Sequence, residues 1–61
     1  MHAIVARMRI RAEHRAAFLK ASEVIIAGTR AESGCLFYAL HEDAHDQNSF
    51  LFYEEWQDRT A

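Results

Sequence analysis

The sequence predicts an α+β fold in the order strand, helix, strand, strand. Three observations lead to it. Apolar residues alternate with period two near the start. They shift to helical spacing through the middle. They then return to period two in two runs separated by a short polar stretch.

Residues 2–10 read HAIVARMRI. Ile4, Ala6, Met8 and Ile10 fall on one side, and Val5, Arg7 and Arg9 on the other, which predicts a strand with one buried face. Residues 12–32 are predicted to form a helix whose stripe is Phe18, Ala21, Ile25 and Gly28, widened by Leu19, Ser22 and Ile26. Glu13 suits the positive end of its dipole and Arg30 the negative end. Gly28 costs about 1 kcal/mol relative to alanine inside a helix. Either close approach of helix to sheet offsets that cost, or the helix frays there. Ser33-Gly34 predicts the stop, with Gly34 as the left-handed residue just past the helix.

Residues 35–42, CLFYALHE, alternate again. Leu36, Tyr38 and Leu40 share one face, and Cys35, Phe37, Ala39 and His41 the other. Residues 43–48, DAHDQN, read as a polar turn, and residues 49–56, SFLFYEEW, as a strand with Phe50, Phe52, Glu54 and Trp56 on one side. Together these make a β-hairpin. Asp58 suits the N-cap of a further helix, but one helical turn is not a stable element. The order is the larger part of a ferredoxin-like βαββ(αβ) unit, with strand order 4-1-3-2. Strand one then keeps an open edge and part of the apolar sheet face stays uncovered. On that ground the chain, one domain over residues 1–61, is expected to be incomplete at its C-terminus and to attract another chain.

Composition narrows the function classes. A chain of 61 residues buries only about 60% of the surface its unfolded form exposes. Its single cysteine, Cys35, excludes an internal disulfide, so a second copy is the expected source of added stability. A net charge of −2 argues against a nucleic-acid partner, and the strand-one arginines lack interleaved exposed aromatics. No run approaches the roughly 18 apolar residues of a membrane span. The lone thiol and the lack of a leader pattern predict a cytoplasmic setting.

Trp56, Glu54, Phe52 and Tyr38 are the leading site candidates. Trp56 and Phe52 would wall a pocket for a flat aromatic ligand, Glu54 would orient a phenol, and Tyr38 would donate a hydrogen bond. The competing reading makes Trp56 and Tyr38 core packing and pairs Glu54 with a strand-one arginine. His41 is a candidate base, since histidine titrates near neutrality. His41 and His45 with Glu42, Asp43 and Asp46 have metal-binding chemistry, but the two histidines straddle a turn, and a solvated acidic loop is the preferred account; no metal and no cofactor are expected. Cys35 reads as a small buried filler, without the basic cluster or second thiol of a redox site. His2 and His14 carry no motif and are expected to be exposed.

Several segments resemble the antibiotic biosynthesis monooxygenase family. They are Ala6-Arg7-Met8-Arg9-Ile10, Phe18-Leu19, the junction Thr29-Arg30-Ala31-Glu32-Ser33-Gly34-Cys35-Leu36-Phe37-Tyr38, and Phe52-Tyr53-Glu54-Glu55-Trp56. Ser33 departs from the pattern, where members usually carry proline. The resemblance implies a dimeric α/β-barrel in which two sheets pack face to face. It also implies cofactor-independent oxidation of electron-rich aromatics, such as quinols and polyphenols, by O₂, and a second helix and fourth strand after residue 61. A haem-degrading branch of the family uses a strand-one asparagine, and strand one here has none. The rival to an enzyme is a small-molecule-binding or dimerisation module, or an inactive fragment of one.

Overall fold

The computed structural model describes residues 1–58. Strand β1 spans His2–Arg9, a 3₁₀ turn covers Ala12–His14, helix α1 spans Arg15–Arg30, and strands β2 and β3 span Cys35–Glu42 and Ser49–Trp56. The three strands form one antiparallel sheet in the order β1-β3-β2. Strand β3 is therefore central, and β1 lies beside it as a ferredoxin-like order requires. The further helix expected after Asp58 falls outside the described residues.

Register fixes the faces. Ile4 pairs with Glu54, Ala6 with Phe52 and Met8 with Phe50 across β1–β3, while Leu40 pairs with Phe52 and Tyr38 with Glu54 across β2–β3. All of these point to the face that α1 covers. Phe18 of α1 meets Phe50 with ring centroids 4.9 Å apart, and the Arg15 guanidinium lies 5.9 Å from the same ring. Phe50, Phe52, Tyr38 and Trp56 are the buried core. The opposite face is open, with Val5 55% and Phe37 46% exposed.

The helix is rotated from its expected setting. Phe18, Leu19, Ser22, Ile26 and Thr29 turn inward, whereas Ala21, Ile25 and Gly28 are exposed. The inward face keeps Phe18, Leu19, Ser22 and Ile26 of the expected stripe, adds Thr29, and loses the Ala21, Ile25 and Gly28 side. Ser22 makes this setting possible. Its hydroxyl donates to the Phe18 carbonyl at 2.8 Å, so a small, satisfied side chain can be the most buried among the described residues. Neither account of Gly28 holds, because a Cβ there would meet nothing within 4 Å and α1 continues to Arg30. Gly28→Ala is accordingly expected to stabilise the chain by about 0.5–1 kcal/mol. A thermal melt checks this, and an unchanged or lower melting temperature would contradict it.

Three further expectations are corrected. The α-helix begins at Arg15, so Glu13 lies in the preceding 3₁₀ turn and not in its first turn. Gly34 does adopt a left-handed conformation, with φ 94°, but it stands three residues past the cap residue Ala31. It serves the entry to β2, where Cys35 N–H donates to the Glu32 carbonyl and the Gly34 carbonyl accepts from Gln57. A bulge between Cys35 and Phe37 then shifts the alternation of β2. Cys35 pairs with Trp56 and is half-buried, and Leu36 is displaced outward and exposed.

The β2–β3 loop is organised by Asp46. Its carboxylate accepts from the Asn48 N–H at 2.9 Å, the Ser49 hydroxyl at 2.9 Å and Arg9 Nε at 3.1 Å. The Asn48 amide, Ser49 and Arg9, in that order, hold the carboxyl below the usual aspartate range. A depressed folded-state pKa contributes stability that is present above the unfolded value and lost as pH falls through the folded one. Protection of the Asn48 amide, measured against its intrinsic exchange rate, is expected to fall as pH drops through the folded-state Asp46 value, and Asp46→Asn to flatten that dependence. An acid profile identical in the two proteins would refute this. Arg15 secures the same end of the sheet to α1, donating from Nε to the Gln47 carbonyl at 2.8 Å and from Nη2 to Glu42.

Candidate functional site

The site is built from the chain-terminal end of the β1–β3 ladder and the C-terminal end of α1. Alternation along β3 puts Glu54 and Trp56 on one side of the strand, and Trp56 Nε1 donates to Glu54 Oε1 at 3.0 Å. Strand β2 brings Tyr38 opposite Glu54. A cleft of about 480 Å³ opens there, lined by Tyr38, Glu54, Trp56, Thr29, Ile4 and His2 among others. Arg30 Nε donates to the Tyr38 carbonyl at 2.9 Å and fastens the end of α1 to this strand.

Burial, and then the nearby Glu54 charge, push the Tyr38 phenol above its ordinary pKa, partly opposed by a hydrogen bond from Thr29. Tyr38 is thus held protonated, as a donor. Glu54 has one oxygen fixed by the indole. The pairing of Glu54 with a strand-one arginine does not occur; Arg7 and Arg9 point to the other face, and Glu54 bonds to Trp56 instead.

The expected constellation is only partly assembled. Tyr38, Glu54 and Trp56 share the cleft. Phe52 lies behind it, stacked against Tyr38 with centroids 5.2 Å apart and planes at 29°. Phe52 therefore supports the wall instead of forming it. His41 is not brought to the cleft, because it pairs with Leu51 and faces the open side of the sheet. It lines a separate cleft of about 660 Å³ with Arg7, Arg9 and Leu51.

The loop carboxylates have protein partners. Glu42 pairs with Arg15, Asp43 accepts from the His45 N–H at 2.8 Å, and Asp46 has the three donors named above. Among the described residues no three histidine, cysteine or acidic side chains gather in a metal-ligating group.

Sequence reasoning missed His2. Expected to be exposed, it is half-buried, pairs with Trp56 and lines the cleft. Its place in the same alternation as Ile4 was the available signal. His14 is exposed as expected.

No helix among the described residues is long and apolar enough to cross a membrane. The chain is 31% identical, over its whole length, to YcnE of Bacillus subtilis, which is named as a monooxygenase. It is 33% identical over 58 residues, 95% of its length, to the uncharacterised protein sll1783 of Synechocystis. A crystal structure of an antibiotic biosynthesis monooxygenase superposes with a TM-score of 0.93 at 35% identity, over 98% of this chain. The chain spans 64%, 40% and 63% of these three proteins, less than two thirds of each. The model of the antibiotic biosynthesis monooxygenase family matches residues 1–61, and the chain belongs to that family.

Proposed function

We propose that the chain takes part in a cofactor-independent oxidation of a quinol or polyphenol by O₂, with the substrate held in the cleft between the sheet and α1. The observation that carries this reading is the Trp56–Glu54 hydrogen bond facing Tyr38 across the ladder. It presents an aromatic surface, a carboxylate acceptor and a phenol donor to one ligand. Trp56 contacts the substrate ring, Glu54 accepts a hydrogen bond from a ring hydroxyl, Tyr38 donates to a substrate oxygen, and Phe52 holds Tyr38 in place.

Pulling electron density into the ring makes the substrate itself the reductant. It passes one electron to O₂, the radical pair combines at a ring carbon, and loss of water from the hydroperoxide leaves a carbonyl. One oxygen atom enters the product and the other leaves as water. Oxygen uptake with reduced quinols tests this. A rate above the buffer blank is expected, and no rate with the full-length protein would remove the reading.

A second reading concerns partners. The exposed Val5, Leu36 and Phe37 favour a homodimer formed through the open sheet face, in a cytoplasmic protein, and such a dimer would serve a binding module as well as an enzyme. Light scattering of Val5→Lys against the parent chain decides it: a dimer that becomes a monomer supports the reading, and a parent monomer ends it.

A further inference from the structure

We propose that the open face of the sheet receives a second copy of this chain with its strands antiparallel to the first, so that Glu55 of each copy enters the recess between Arg7 and His41 of the other; this rests on the homodimer reading and gives that dimer an orientation.

Register lays the open face out in rows. Ala3, Glu55 and Phe37 form the first, Val5, Tyr53 and Ala39 the second, and Arg7, Leu51 and His41 the third. The second row is carried by Val5, 55% exposed, and by Tyr53, whose ring lies 6.0 Å from that of Phe37. Charge is divided between the two outer rows. Glu55 accepts from the Tyr53 hydroxyl at 2.7 Å, and Arg7 stands at the other end. Among the described residues Arg9 pairs with Asp46 and Arg15 with Glu42; Arg7 and Glu55 belong to neither pair. The cleft of about 660 Å³ opens over the third row, lined by Arg7, Leu51 and His41 among others. Its two carboxylates are engaged, Glu42 by Arg15 and Asp43 by the His45 N–H.

A dimer of identical chains puts the same patch of both copies about a two-fold axis. Two such axes stack this face on itself. An axis along β3 lays Glu55 on Glu55 and Arg7 on His41, so two carboxylates meet. An axis along the second row turns the strands antiparallel and exchanges the first row with the third. Val5, Tyr53 and Ala39 then meet their own counterparts, and Glu55 comes over Leu51, between Arg7 and His41, twice by symmetry. Like charges set against each other across an interface suppress the wrong arrangement, and complementary ones fix the register. Both outer rows lie two residues from the axis, so the angle of about 30° between aligned sheets displaces them little. Stacked sheets lie about 10 Å apart, a gap that an arginine and a glutamate reaching from opposite sides span.

Sedimentation equilibrium of the intact chain tests this. The parent is expected to dimerise. Arg7→Glu and Glu55→Arg should each weaken association at least about tenfold, since each sets like charges in both recesses. The double variant, and an equimolar mixture of the two single variants, should return to within about threefold of the parent. Far-ultraviolet circular dichroism matching the parent shows that the variants fold. Where a reversed charge upsets the fold, Arg7→Gln and Glu55→Gln take its place and should each weaken association about threefold. Folded single variants that dimerise as tightly as the parent, or a double variant no tighter than the singles, overturn the orientation and leave the dimer standing. A monomeric parent removes both and leaves the face to another occupant.

Discussion

Phe50→Ala is expected to remove a third or more of the folding stability of this chain. Phe50 is 4% exposed and sits on the central strand, paired with Met8 on one side and Glu42 on the other. Its ring is the meeting point of α1 and the sheet, with Phe18 at 4.9 Å and the Arg15 guanidinium at 5.9 Å. Truncating a buried phenylalanine costs about 3–5 kcal/mol. At a typical 0.05–0.15 kcal/mol per residue, a chain of this length has only about 3–9 kcal/mol in total. The single change therefore removes a third or more of the stability, and at the low end all of it. Urea unfolding followed by circular dichroism measures the loss. Ile25→Ala is the control, since that side chain is 51% exposed on the outer face of α1 and should cost less than about 1 kcal/mol. A Phe50→Ala midpoint within error of the Ile25→Ala midpoint would show that the helix does not dock through this ring.

Glu54→Gln is expected to have the largest effect on turnover. Glutamine keeps a carbonyl oxygen for Trp56 Nε1, so the indole can stay where it is, while the charge facing the substrate hydroxyl is gone. A hydrogen bond to a charged group contributes about 1.5–3 kcal/mol. A loss of roughly 10–150-fold in kcat/KM for quinol oxidation is therefore anticipated. A second readout needs no turnover. Because the Glu54 charge helps to raise the Tyr38 pKa, removing it should bring the phenol down toward its ordinary value. Burial, the larger cause, should keep it from falling all the way. Ultraviolet titration of the tyrosines follows this shift. Full activity with an unmoved Tyr38 titration would mean that neither the substrate nor the phenol senses this carboxylate.

Much of the fold was legible because strand periodicity is a strong local signal. The β2 and β3 alternations locate the hairpin, and in β3 the same alternation places Glu54 and Trp56 side by side. The site was less legible. Tyr38 and Trp56 proved to be core and cleft wall at once, so the packing and functional readings were never exclusive. His41 looked like a base from its type alone, yet alternation sends it through the sheet to the other face. His2 looked inert because its neighbours in sequence say nothing about Trp56, its neighbour in space.

The sequence alone determined what can be decided within a few residues: the three strands, the helix, the polar loop, and which side chains of β1 and β3 share a face. Tertiary structure decided the rest. Helix rotation was set by how Phe18, Ser22 and Thr29 meet the sheet, and not by the most apolar stripe. The bulge at Leu36 reset the register of β2 and moved Cys35 beside Trp56. The cleft exists only because β1 and β3, joined at a sequence separation of about fifty residues, bring His2 and Glu54 onto one face. The physical reason is range. Backbone preference and periodicity act between near neighbours, whereas helix docking and ladder register are set by packing between segments that the chain order keeps far apart.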